Sequence, residues 1–194
     1  MRKRIFILSV VLISLILTGC GPGNILDSLD KANRFNNLRE YNKRVGTKTP
    51  GQIAAEVYLE VIECFKNRDK EKLKNFISTD ILENNPLIDA DIEEAFDCID
   101  GEIISCGKIY ADGNIGSGYI NAYYSADSYI LTDKGTEYEI RIGGSLHDVK
   151  NPKRIGISSI FLINKNKVAP GTFSKLRKKG MDYKEFFYFI GESG

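Results

Sequence analysis

The apolar periodicity of this chain changes once, at Gly101-Glu102, and a fold must bury a helical half and a sheet half together. Thr49-Pro50 opens the helical half, with a hydroxyl at the N-cap and a proline at the first helical position, where its missing N–H costs nothing. Ile53, Val57, Val61, Cys64 and Phe65 then share one helix side, while Glu56, Glu60, Glu63 and Lys66 take the other. Asn67-Arg68-Asp69 breaks that helix, and Asp69 is placed to cap a short second one whose Leu73, Phe76 and Ile77 face inward. Asp89 and Asp91 signal a third, since the helix dipole favours acids in a first turn; Ile92, Ala95, Phe96 and Ile99 give it an apolar side, and Gly101 is its stop.

From Glu102 the period is two. Ile103 to Tyr110 reads as a strand ended by Asp112-Gly113, and Tyr119 to Leu131 as a second one interrupted near Asp127. After a turn at Asp133-Lys134-Gly135, Tyr138, Ile140 and Ile142 alternate with Glu137, Glu139 and Arg141, the pattern of a sheet with one buried and one wet face. His147, Asp148, Asn151 and Pro152 read as a polar loop. Ile155 to Ile163 is apolar on both sides, which predicts a central strand. Helices first and an antiparallel sheet after them define an α+β fold.

The first twenty residues obey another logic. Arg2, Lys3 and Arg4 precede an apolar run from Ile5 to Leu17 broken only by serines, shorter than the roughly 20 residues of a membrane span and laid out as an export signal. The run closes on Leu17-Thr18-Gly19-Cys20, which resembles the lipobox of bacterial lipoproteins. That resemblance implies cleavage ahead of Cys20 and a diacylglyceryl group on its thiol; two acyl chains then hold the protein on the extracytoplasmic face of the cell membrane. The expected organisation is a signal peptide over 1–19, a polar and partly helical tether over 20–48, a domain over 49–163 and a basic-aromatic extension over 164–194.

Charge and cysteine usage remove several function classes. Basic and acidic residues number 27 and 26, and Arg2, Lys3 and Arg4 leave with the signal, so nucleic acid is not an expected partner. A hydrophobic content of 42% with so little net charge supports a packed core rather than disorder. With Cys20 acylated, Cys64, Cys98 and Cys106 permit one disulfide at most, and two of them on helices read first as small buried hydrophobes. There is one histidine and no Cys-x-x-Cys, so neither a His-based metal cluster nor a cofactor is expected.

The remaining candidates are few. His147 beside Asp148 suggests an acid/base pair, yet neighbouring side chains on an extended chain point apart, and no Gly-x-Ser-x-Gly supplies a nucleophile. Asp97 and Asp100 share a helix side and could do acid/base work in a small-molecule hydrolase or isomerase, although such pairs are ordinarily solvated. Gly113, Gly116 and Gly118 lie between strands, so they form a hairpin loop rather than a phosphate cradle. Tyr119, Tyr123, Tyr124, Tyr129 and Tyr138 are the candidate ligand-binding residues, because tyrosines on a curved sheet stack on a ligand face while the hydroxyl orients it.

Three segments together resemble a family of bacterial surface lipoproteins known as domain of unknown function 5104: Phe96-Asp97-Cys98-Ile99-Asp100-Gly101-Glu102-Ile103-Ile104, then Thr132-Asp133-Lys134-Gly135 leading to Tyr138-Glu139-Ile140, and Ile155-Gly156-Ile157. The likeness covers roughly Pro50 to Ile163. It implies an NTF2-like, or cystatin-like, fold in which a curved antiparallel sheet wraps around helices and leaves a conical pocket. Such domains place a strand between the second and third helices, and the candidate here is the piece near Ile81 and Leu82. No catalytic assignment comes with the resemblance. The expectation is a noncatalytic, membrane-anchored domain that binds a small molecule or an envelope protein, or else an interaction module using its basic-aromatic tail.

Overall fold

The computed structural model describes residues 22–168 and 186–190. The expected signal, Leu17-Thr18-Gly19-Cys20 with its acylation site, and the basic segment from Lys175 to Lys179 lie outside the described residues. Among the described residues five α-helices precede the sheet: α1 (Pro22–Val45), α2 (Pro50–Asn67), α3 (Lys70–Lys74), α4 (Thr79–Asn84) and α5 (Ile88–Asp97). Six strands follow, β1 (Ile103–Cys106), β2 (Tyr110–Ile115), β3 (Asn121–Thr132), β4 (Glu137–Asp148), β5 (Gly156–Asn164) and β6 (Phe187–Ile190). The result is an α+β fold with helices packed on a curved, open sheet.

Local chemistry sets the helix boundaries. The Thr49 hydroxyl accepts the Gln52 N–H at 3.2 Å while the Gln52 side chain accepts the Thr49 N–H at 2.8 Å, a reciprocal cap that satisfies two otherwise orphaned donors. Arg68, at φ +51°, closes α2 in the left-handed region, and the Asp69 carboxylate accepts the Lys72 N–H to begin α3. The expected tether contains α1, one continuous helix whose Tyr41 and Val45 are buried in the core. Ile81 and Leu82 lie in α4 and not in a strand, because the Ser78 hydroxyl accepts the Ile81 N–H and starts a helical turn there. The neighbouring Ile77 makes only an isolated parallel bridge to Ile157.

The sheet runs β1-β3-β4-β5-β6, with β2 sharing the β1 edge of β3. Several expectations fail here. The single strand predicted from Ile103 to Tyr110 divides into β1 and β2, both antiparallel to β3, because the twelve residues of β3 are long enough to pair with two strands in succession. Asp112-Gly113 lies inside β2 and ends nothing: a Cβ at Gly113 would come 2.4 Å from Pro50 Cβ, so the glycine admits the start of α2 onto the sheet. The interruption expected near Asp127 is absent, and Asp127 pairs with both Tyr110 and Arg141. The sheet is also mixed, since β6 runs parallel to β5 and makes it internal, as its two apolar sides require.

One sheet face carries the helices. Ala122, Tyr124, Ala126, Ser128, Ile130 and Thr132 of β3 all point into it, beside Ile140 and Ile142 of β4 and Ile160 and Leu162 of β5. Against them α2 lays Ala54, Tyr58, Val61, Ile62 and Phe65, the i, i+4, i+7, i+8, i+11 stripe of a packed helix. Val61, Ile62 and Phe65 each contribute about 1.5–3 kcal/mol on full burial. Ile53 and Val57, which the periodicity placed in the stripe, stand at its margin and are half-buried.

Candidate functional site

The margin of the α2 stripe opens into a cleft of about 300 Å³. One wall is Arg44 and Val45 at the end of α1 with Ile53 and Val57 of α2; the other is Tyr124 of β3 with Ser145 and Leu146 of β4. Phe76, Ile77 and Ile155 close the end. Its floor depends on two glycines. Gly144, paired with Tyr124 across the ladder, has no side chain, and a Cβ there would come 2.8 Å from the Tyr124 ring and 2.4 Å from the Gly156 carbonyl. Gly156 sits at φ +121°, and a Cβ on it would meet the backbone of Phe76 and Ser78.

Beside the cleft, α1 docks through polar and aromatic contacts. The Asn37 amide donates to the Gly118 carbonyl at 3.1 Å, and the Tyr41 ring meets Tyr119 at 6.0 Å and His147 at 5.9 Å. His147 and Asp148 are the last residues of β4 and are buried, not members of a loop, because β3 supplies a ladder partner for each, Ala122 and Asn121. They form no acid/base pair. The imidazole turns toward Tyr41, whereas the Asp148 carboxylate accepts the N–H groups of Lys150 and Asn151 and ends the strand. Burial, reinforced by the Arg44 charge, pushes the His147 pKa below its ordinary 6.5.

The five candidate tyrosines do not form one cluster. Tyr123 and Tyr129 are exposed on the sheet face away from the helices, six residues apart on one strand, a separation of about 20 Å that no single ring-sized ligand bridges. Lys165 already lies 5.1 Å from the Tyr129 ring, and the Tyr123 hydroxyl accepts from Asn121. Tyr124 and Tyr138 point the other way and are buried, with desolvation raising the Tyr124 pKa, so its hydroxyl stays protonated. Tyr119 packs on Tyr41. Only Tyr124 lines the apolar cleft.

Asp97, Asp100 and Tyr138 line a second, more polar recess of about 470 Å³ with Thr136, Asn164, Asn166 and Lys167. Several of its polar groups are engaged by the fold. The Tyr138 hydroxyl accepts the Asp100 N–H at 3.0 Å, Asn166 accepts the Glu137 N–H, and Asn164 accepts the Asn166 N–H. Asp97 pairs with Arg68 and Asp100 with Lys134, both on the surface. Cys64 keeps a free, buried thiol and so takes no part in the one disulfide the three cysteines permit, and burial pushes its pKa up to about 11. Among the described residues no group of three His, Cys, Asp or Glu side chains is placed to hold a metal ion.

The sequence signal for the apolar cleft lay in Ile53 and Val57, which the helical period marks as core and the structure leaves half-open. Nothing local marked Arg44. Helices over one face of an open mixed sheet, with a ligand-sized apolar recess between them, make this an α+β domain of the recess-bearing kind. The chain belongs to the family described as domain of unknown function DUF5104, which it matches over residues 60–165. That span runs from the middle of α2 past the end of β5, so α1, with Arg44, and the first turns of α2, with Ile53 and Val57, precede it. No curated protein matches the chain.

Proposed function

We propose that this protein is a membrane-anchored, extracytoplasmic lipoprotein whose NTF2-like domain is noncatalytic and binds a small apolar molecule between α1, α2 and the sheet. The observation that carries the reading is the cleft itself, at about 300 Å³ the lower end of the ligand-pocket range of about 300–1,000 Å³. Its walls are mostly aliphatic and aromatic, and Ile53 and Val57 are left half-buried in a domain that otherwise packs its helix stripe fully. Catalysis has less support, since Asp97, Asp100 and Asp148 are each engaged in ion pairs or turn hydrogen bonds and His147 turns toward Tyr41.

The anchor rests on the apolar run from Ile5 to Leu17 and on Cys20 following Leu17-Thr18-Gly19. No helix among the described residues is long and apolar enough to cross a membrane. The cleft is tested by titrating decanol into the full chain held in amphipol, with Ile53→Trp as a variant whose indole fills the recess and whose circular dichroism is checked. Saturable binding that Ile53→Trp loses is the expected result. Equal uptake by both proteins contradicts the reading.

A further inference from the structure

We infer that the apolar cleft takes a carboxylate-headed apolar molecule, its chain between α2 and the sheet and its head against Arg44. The inference rests on reading the cleft as a ligand site and adds the chemical class of the ligand.

Arg44 is the one charged side chain among the described residues lining the cleft, and it is exposed at the rim. Its basic neighbours are engaged: Lys43 and Arg39 share Glu40, and Lys48 pairs with Glu56. Arg44 makes no ion pair with the described residues. No carboxylate lines the mouth to repel an anion or to neutralise the guanidinium. A planar guanidinium presents parallel N–H groups that match the two oxygens of a carboxylate, and such charge-assisted pairs are roughly twice as strong as neutral ones.

The interior is largely apolar, Asn75 and Ser145 apart. Ser145 already donates to the carbonyls of Ala122 or His147, and the other wall atoms are largely those of Val45, Ile53, Val57, Tyr124 and Leu146. A single cation at the rim balances a single negative charge. A dianionic phosphate head would find only one cation at that rim. The volume suits a chain of about ten carbons, a size at the small end of ligand pockets.

The test compares decanoate with decanol, which share the chain and differ in the head, by titration into the full chain in amphipol. Ile53→Trp supplies the blank for partitioning into amphipol. At pH 7.5 decanoate should bind about tenfold more tightly than decanol, a difference typical of one charge-assisted pair. Arg44→Gln, on an exposed residue, should abolish the difference between decanoate and decanol. Equal binding of the two probes by the wild-type chain, or a difference that survives Arg44→Gln, overturns the assignment while leaving the cleft as an apolar site. Failure of both probes to exceed the Ile53→Trp blank overturns the assignment and the cleft reading together.

Discussion

The rings of Tyr41 and His147 meet edge to face, 5.9 Å apart with their planes inclined by 80°, and this contact joins α1 to the end of β4. His147 Nε2 and the Tyr41 hydroxyl are both buried, and neither has a hydrogen-bond partner among the described residues. A buried imidazole in that position folds best without its proton.

The pH consequence follows in sign from the lowered His147 pKa. The unfolded chain takes up the proton near 6.5, the native state only at lower pH, so the stability from neutral His147 is complete above about 6.5 and is lost as pH falls through the native value. Urea unfolding from pH 7.5 to 5 should show a decline that is shallower in His147→Phe, which keeps a ring beside Tyr41 but cannot titrate. Parallel profiles for the two proteins would count against the assignment.

Tyr58 reaches across the core to donate its hydroxyl to the Ser128 carbonyl at 3.2 Å. Tyr58→Phe removes that bond alone and should cost about 1 kcal/mol. Tyr58→Ala also empties the centre of the α2 stripe and should cost about 3–5 kcal/mol, both measurable by denaturant titration.

Gly144→Ala should be worse than its single methyl suggests. The added Cβ meets the Gly156 carbonyl and the end of the buried Tyr124 ring at once, and the carbonyl is backbone that cannot swing away. A loss of about 1–3 kcal/mol is expected, together with weaker decanol binding as Tyr124 is pushed into the cleft.

Cys20→Ser removes the thiol on which acylation depends. The variant should leave the membrane fraction or remain there only as the uncut precursor, and intact mass should show neither cleavage ahead of residue 20 nor the added lipid. A Cys20→Ser protein that is cut and retained like the wild type contradicts the lipid anchor.

How much of this was legible depended on how local the determinant was. Thr49-Pro50, Asp69 and Gly135 act within a turn of themselves, and the structure places a helix start, a helix start and a turn at those points. The division of β1 from β2 was not legible, because it is set by the length of β3, a strand read as interrupted. His147 looked like a loop residue since a polar side chain says nothing of an aromatic neighbour a hundred residues earlier. The parallel pairing of β6 with β5 is likewise nonlocal. The separation of the tyrosines is local: Tyr123 and Tyr124 are adjacent in a strand, so alternation alone sends them to opposite faces.

Where an apolar molecule sits on the domain is the most direct test. Methyl-labelled full chain in amphipol, titrated with decanol, reports this by chemical shift. The expected result is a saturable shift of the Ile53, Val57 and Ile155 methyls with Ile104 and Ile115, exposed elsewhere on the domain, unmoved. Shifts at Ile104 and Ile115 with the three cleft residues unchanged would contradict it.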